Sequence, residues 1–167
     1  MVKNKLQILC QKIISGGQTG VDRGTLNACL ELDFPCGGWC SAGRRAEDGV
    51  IPAKYPLLET GDADYATRTK RNVRESDATL IIHNGTLSGG TKLTYDYARE
   101  VKKSVLVIRP NTSTSSILKW LHLNKTIILN VAGPRASEWQ DAETNAYRLI
   151  SKLISTIKKN NPTLPKL

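Results

Sequence analysis

The sequence predicts an α/β protein, a single three-layer domain with a mostly parallel sheet between helices. Three observations predict it. Short, largely apolar runs at 12–14, 78–82, 104–108 and 127–131 read as strands covered on both faces. Segments with apolar residues at helical spacing alternate with these runs. Glycine-rich stretches fall where strand should pass into helix, at Ser15–Gly20 and again at Asn84–Thr91. A chain of 167 residues can bury one proper core without disulfides.

Residues 1–11 read as an N-terminal extension, 12–159 as the domain and 160–167 as a C-terminal tail. The first helix is expected from Thr19 to about Asp33, with Val21, Thr25, Ala28 and Leu32 on one stripe. Thr19 is its candidate N-cap, and Asp22 stands at capping-box spacing. Phe34-Pro35 ends the helix, because a residue before proline avoids helical geometry. Cys36 to Trp39 reads as one short strand, followed to about Asp62 by a loop with neither helical nor strand periodicity. Loops of that length inside a compact domain are usually functional.

A second helix over 63–76 turns Tyr65, Thr69 and Val73 inward and Arg68, Lys70, Arg71 and Arg74 to solvent. After the strand at 78–82, the next helix is expected from about Lys92 to Lys103. Asn111-Thr112-Ser113 can cap a short helix reaching Leu123. The last helix, from Ala136 or Asp141 to Lys159, carries Ala146, Leu149, Ile150, Leu153, Ile154 and Ile157 on a broad apolar face. This alternation describes a Rossmann-like domain, in which ligands bind at the carboxyl ends of the strands. Both glycine-rich junctions, the 40–62 loop and the Gly133-Pro134-Arg135 turn follow strands, so all four should share that edge.

The net charge of +9 invites a nucleic-acid reading, but its distribution argues otherwise. Six of the 24 basic residues (Lys3, Lys5, Lys12, Lys158, Lys159 and Lys166) lie in flanks without acidic residues, which leaves 18 against 15 acidic ones. No basic stripe with interleaved aromatics remains. Neither a membrane span nor a signal peptide is evident, which makes the cytoplasm the default location. Cys10, Cys29, Cys36 and Cys40 then read as buried thiols. Cys36 and Cys40 have a spacing that zinc can use, but no second cysteine pair completes a tetrahedral set, and no metal site is expected.

The chemistry should lie in the two glycine turns, Gly16, Gly17, Gln18, Thr19 and Gly20 with Asp22, and Asn84, Gly85, Ser88, Gly89, Gly90 and Thr91. Glycine lets a ligand approach the backbone, and a helix start offers unpaired N–H groups and positive dipole, which suits phosphate. A valine at Gly17 or Gly90 is expected to fill the anion's space and leave the fold intact. Arg44 and Arg45 can offer forked contacts to phosphate or form a solvated loop. Trp39 either stacks a planar ring or packs in the core. Asp22 and Asp96 each read as a base or as a charge favouring a helix dipole. His83 ends a strand beside the site without a sequence-neighbour partner. Neither a Walker loop nor a G-x-G-x-x-G turn is present.

The run Ile14–Arg23, the Gly37–Cys40 and Gly43–Gly49 segments, Asn72–Leu80 and Gly89-Gly90-Thr91 together resemble the putative molybdenum carrier proteins. These are a circularly permuted branch of the SLOG superfamily of Rossmann-like domains that bind nucleotide-like ligands. The resemblance covers about residues 12 to 158. It implies a carrier that binds and protects the molybdenum cofactor, a molybdopterin with a terminal phosphate, and no chemistry of its own. It also implies a homo-oligomer, dimer or tetramer, that meets molybdoenzymes or cofactor-synthesis proteins. A nucleotide-binding sensor and a nucleotide phosphoribohydrolase-like enzyme are the alternatives. Related hydrolases carry a catalytic Glu after the second glycine turn, where this sequence has Thr94, and that departure counts against the enzyme.

Overall fold

The computed structural model describes residues 7–162. A five-stranded sheet in the order β2-β1-β9-β7-β8 forms its centre, and every adjacent pair is parallel. Its strands are β1 (Lys12–Ile14), β2 (Cys36–Gly37), β7 (Ala78–Ile82), β8 (Ser104–Ile108) and β9 (Ile128–Ala132). All five residues of β7 are buried, because the strand runs centrally between two helical layers. One layer is made by α1 (Val21–Glu31), α4 (Thr114–Leu123) and α5 (Ala142–Asn160), with α1 packed along α5. The other is made by α2 (Tyr65–Arg74) and α3 (Gly89–Glu100). Ala146, Leu149, Ile150, Leu153, Ile154 and Ile157 of α5 are all buried, the apolar face that the spacing predicted.

Four expectations need correction. Helix α1 starts at Val21 and has Gly20, not Thr19, at its N-cap position, with no side-chain cap. The Val21 N–H instead donates to the Pro134 carbonyl at 3.1 Å. Gly20 makes that approach possible: it takes a φ of 79°, and a Cβ there would collide with the same carbonyl. Helix α3 begins three residues before Lys92, at Gly89, because the extended backbone of Ser88 already ends the turn. The segment from Cys36 to Trp39 splits: β2 pairs with β1, while β3 (Trp39–Cys40) pairs with β6 (Leu58–Glu59).

The 41–62 segment is also not structureless. β4 (Arg45–Ala46) and β5 (Gly49–Val50) form an antiparallel hairpin, and Ile51, Tyr55 and Leu57 make a small core with Leu26 and Cys40. Short strands of two residues carry no periodicity, which is why the sequence hid them. Of the segment expected as an N-terminal extension, Ile8 and Cys10 are buried in the main core. Residues 1–6 and 163–167, including Lys3, Lys5 and Lys166, lie outside the described part.

Candidate functional site

From β1 the chain crosses outward to β2, and from β7 outward to β8, with β9 between them. A crevice opens where such connections diverge, at the carboxyl ends of the strands. Here it is a narrow cleft enclosing about 40 Å³, and about 370 Å³ with its open mouth. The β1–α1 turn and α2 form one wall through Gln18, Asp22, Arg68 and Thr69. The start of α3 forms the other through Gly90, Thr91 and Thr94, and the β9–α5 turn closes the end with Gly133, Arg135 and Glu138. A smaller polar pocket of about 20 Å³, lined by Gly16, Asn72 and Asn130 among others, adjoins the cleft and shares Asp22, Arg68, Thr69 and Thr94 with it.

The two glycine turns meet this cleft differently. The first is filled by the protein. A Cβ on Gly16 would overlap the Arg68 guanidinium, and one on Gly17, at a φ of 77°, would collide with Leu57 and approach Ile51 Cδ1 to 3.1 Å. The second is open. Gly89 and Gly90 are exposed, a Cβ on Gly90 would meet nothing within 4 Å, and Asn84, Gly85 and Ser88 are exposed beside them. Ser88 makes no side-chain cap, so the first N–H groups of α3 have no capping side chain.

Gln18 ties its wall of the cleft to the long loop. Its Oε1 accepts from the Thr19 N–H at 3.0 Å and the Glu47 N–H at 2.9 Å. The amide end is therefore fixed, and Nε2 is buried with no partner among the described residues. Asp22 is buried and accepts from the Gln18 N–H at 3.1 Å and from Arg68 Nη1 at 3.3 Å. Burial pushes its carboxyl above the usual carboxylate range, against the pull of Arg68. Glu47 accepts from the Thr19 hydroxyl and from the Ser137 N–H and hydroxyl, and lies 3.9 Å from Arg135. Partial burial would raise its pKa, but those contacts hold the carboxyl below its ordinary value. Glu47 thus latches the long loop to the turn that carries Arg135.

Other predicted site residues are spent elsewhere. Arg44 donates to the carbonyls of Ile51, Pro52, Tyr55 and Leu57, so it stitches the loop and does not reach the cleft. Arg45 is exposed on the hairpin. Trp39 lies against α2, with Arg71 stacked 3.3 Å from its ring centroid and its indole N–H donating to Glu75 at 2.6 Å. Asp96 pairs with Lys92 on the exposed face of α3. His83 is buried, and burial together with nearby Arg109 lowers its pKa. Among the described residues no His, Cys, Asp and Glu cluster could hold a metal ion, and no helix is long and apolar enough to cross a membrane.

Arg68 is the residue the sequence placed worst. It sits among Lys70, Arg71 and Arg74, and only the buried acid at Asp22 draws it inward. Thr69, Thr94, Arg135 and Glu138 were also not singled out for the site. The Gly133-Pro134-Arg135 turn, expected on this edge, was the signal for the last two.

A parallel sheet between two helical layers, with a cleft among the loops at the carboxyl ends of its strands, defines a Rossmann-like domain. Residues 13–154 match the model of the circularly permutated YpsA SLOG family, and the chain belongs to that family. It is also similar to a crystal structure from Syntrophus aciditrophicus SB described as a putative molybdenum carrier protein. The identity is 39%, the match covers 88% of this chain and 96% of the other, and the TM-score is 0.85. No curated protein matches the sequence.

Proposed function

We propose that this protein is a carrier of the molybdenum cofactor and that it holds the cofactor's terminal phosphate in the cleft at the start of α3. The observation that carries the reading is the pairing of an open helix N-terminus at Gly89 and Gly90 with the buried Gln18 Nε2, unpartnered among the described residues, across the cleft. Backbone N–H groups, a carboxamide donor and the guanidinium groups of Arg68 and Arg135 form a donor set suited to an oxyanion. Asn84, Gly85 and Ser88, exposed next to the start of α3, would leave room for the ring system outside the cleft. The molybdenum would be held by the dithiolene of the cofactor. The similarity to a protein described as a putative molybdenum carrier supports the same ligand. The reading extends to a cytoplasmic homo-oligomer that passes the cofactor to molybdoenzymes.

The enzyme alternative finds little support here. The Thr94 hydroxyl, at the position of the hydrolases' glutamate, donates to the Gly90 carbonyl at 2.8 Å. Asp22 is engaged by Arg68 and the Gln18 N–H. The test is calorimetric titration with molybdenum cofactor and with AMP, CMP, GMP and UMP, followed by chromatography for free base. Preferential binding of the cofactor without base release is expected. Release of base, or tighter binding of a nucleotide than of the cofactor, would replace the carrier with an enzyme or a nucleotide sensor.

A further inference from the structure

The Arg68 guanidinium has five N–H donors, yet its one hydrogen bond among the described residues is the 3.3 Å contact with Asp22. That contact is long for a charge-assisted bond, and the rest of the fork lines the cleft beside Gln18. Asp22 is buried at the back of the same wall, with the Gln18 N–H and Arg68 Nη1 on one carboxylate oxygen. An oxyanion in the cleft and the Asp22 carboxylate would therefore compete for one guanidinium.

We propose that Arg68 and Gln18 form the second wall of the oxyanion site, that Asp22 is the positioning residue for Arg68, and that filling the site is coupled to uptake of one proton by the Asp22 carboxyl. This rests on the oxyanion reading of the cleft given above. The coupling follows from electrostatics. Among the described residues Arg68 is the only charge hydrogen-bonded to Asp22. Once a dianion shares the guanidinium, a buried carboxylate is left beside a second negative charge, an arrangement that burial makes costly. Taking a proton from solvent removes the cost and leaves a neutral carboxyl that still accepts from the Gln18 N–H.

Other charges facing this region come from each neighbouring element. Arg135 and Glu138 lie on the β9–α5 turn, and Glu47 on the long loop, bound to Thr19 and Ser137. Arg23 of α1 is bound to Asp48. Thr91 and Thr94 of α3 and Asn130 of β9 carry no charge. His83, near Arg109, is a further titratable group in this region, its pKa lowered by burial and by that charge.

The sign is fixed by the change at Asp22. Its carboxyl binds a proton more tightly in the filled site than in the empty one, so affinity rises as pH falls between the two values. Within that window the dissociation constant drops up to about tenfold per pH unit, the slope for one linked proton. The probe is inorganic sulfate, whose charge does not change across this range. It is titrated by calorimetry from about pH 5 to 8, each pH in two buffers of different ionisation enthalpy, which counts protons directly.

The parent protein should take up about one proton per sulfate within the window. Asp22→Asn, nearly the same shape, should bind sulfate with no proton uptake and a flat pH profile. Arg68→Lys should bind about tenfold more weakly, and Gln18→Leu should also lose about tenfold. Sulfate binding without proton uptake at any pH overturns the coupling and leaves the carrier reading standing. Uptake that persists in Asp22→Asn overturns the assignment, and its loss in His83→Gln would move it to His83. If neither sulfate nor phosphate binds at all, the oxyanion cleft itself is wrong, and both readings fall together.

Discussion

Between Ser15 and Gly20 the backbone of the first glycine turn is covered by Arg68, Leu57, Ile51 and the Pro134 carbonyl, whereas from Ser88 to Gly90 the second turn faces solvent before Thr91 turns inward. In sequence the two stretches look alike, each two adjacent glycines followed within two residues by a threonine. In space the glycines of the first make room for the protein's own groups, and those of the second leave room for something else. A glycine marks a place where a Cβ is not wanted, and only packing tells what stands there instead.

Substitutions that treat the two turns alike should separate them, and the largest effect belongs to the first. Gly17→Val combines a positive φ with a collision against Leu57 and should cost roughly 2–4 kcal/mol of stability. Chemical denaturation would read this as a lower midpoint at unchanged slope. A Gly17→Val protein as stable as the parent would mean that the first turn is as open as the second.

The next effect concerns what holds the long loop over the first turn. Arg44→Ala removes four contacts to loop carbonyls and should destabilise by about 2 kcal/mol, while Arg45→Ala should stay within about 0.5 kcal/mol. Equal effects of the two on ligand affinity, without any loss of stability, would restore Arg44 as an anion contact.

At the second turn the signature reverses. Gly90→Val should change stability by less than about 1 kcal/mol, since the site is open and valine is no worse than glycine in a helix. It should nonetheless weaken oxyanion binding by at least about tenfold, because the side chain enters the ligand's space. Equilibrium titration beside a thermal melt would check both halves.

The smallest effect comes from pH. Glu47 and Asp48 sit below their ordinary values, Glu47 because hydrogen bonds and Arg135 outweigh its partial burial, and Asp48 chiefly because of Arg23. Depressed carboxylates contribute stability that is present above their unfolded values near 4 and is lost as pH falls through the folded ones. Protection against hydrogen exchange in the 41–62 loop should therefore fall as pH drops below about 4, before the central sheet opens. Uniform protection down to the global transition would show that the Glu47 latch contributes nothing.

Strands β1, β7 and β8 were legible to the residue as short apolar runs, but β8, expected to be covered on both faces, is an edge strand in which only Ile108 is buried. The hairpin at Arg45–Val50 was not, since two-residue strands have no period. The lining of the candidate cleft was legible at Gln18, Asp22, Gly90 and Thr91, where local motifs mark a strand-to-helix turn. It was hidden at Arg68, whose direction depends on a buried acid 46 residues away in the chain. Arg44 misled for the opposite reason: a guanidinium that suits phosphate suits a cluster of carbonyls as well.

The most direct test follows backbone amide shifts by nuclear magnetic resonance during titration with inorganic phosphate and then with molybdenum cofactor. The account predicts that Gly89, Gly90 and Thr91 shift first and most, together with the Gln18 side-chain amide, while Gly17 and Gly20 stay nearly still. Large shifts at Gly17 and Gly20 with none at Gly89–Thr91 would contradict it.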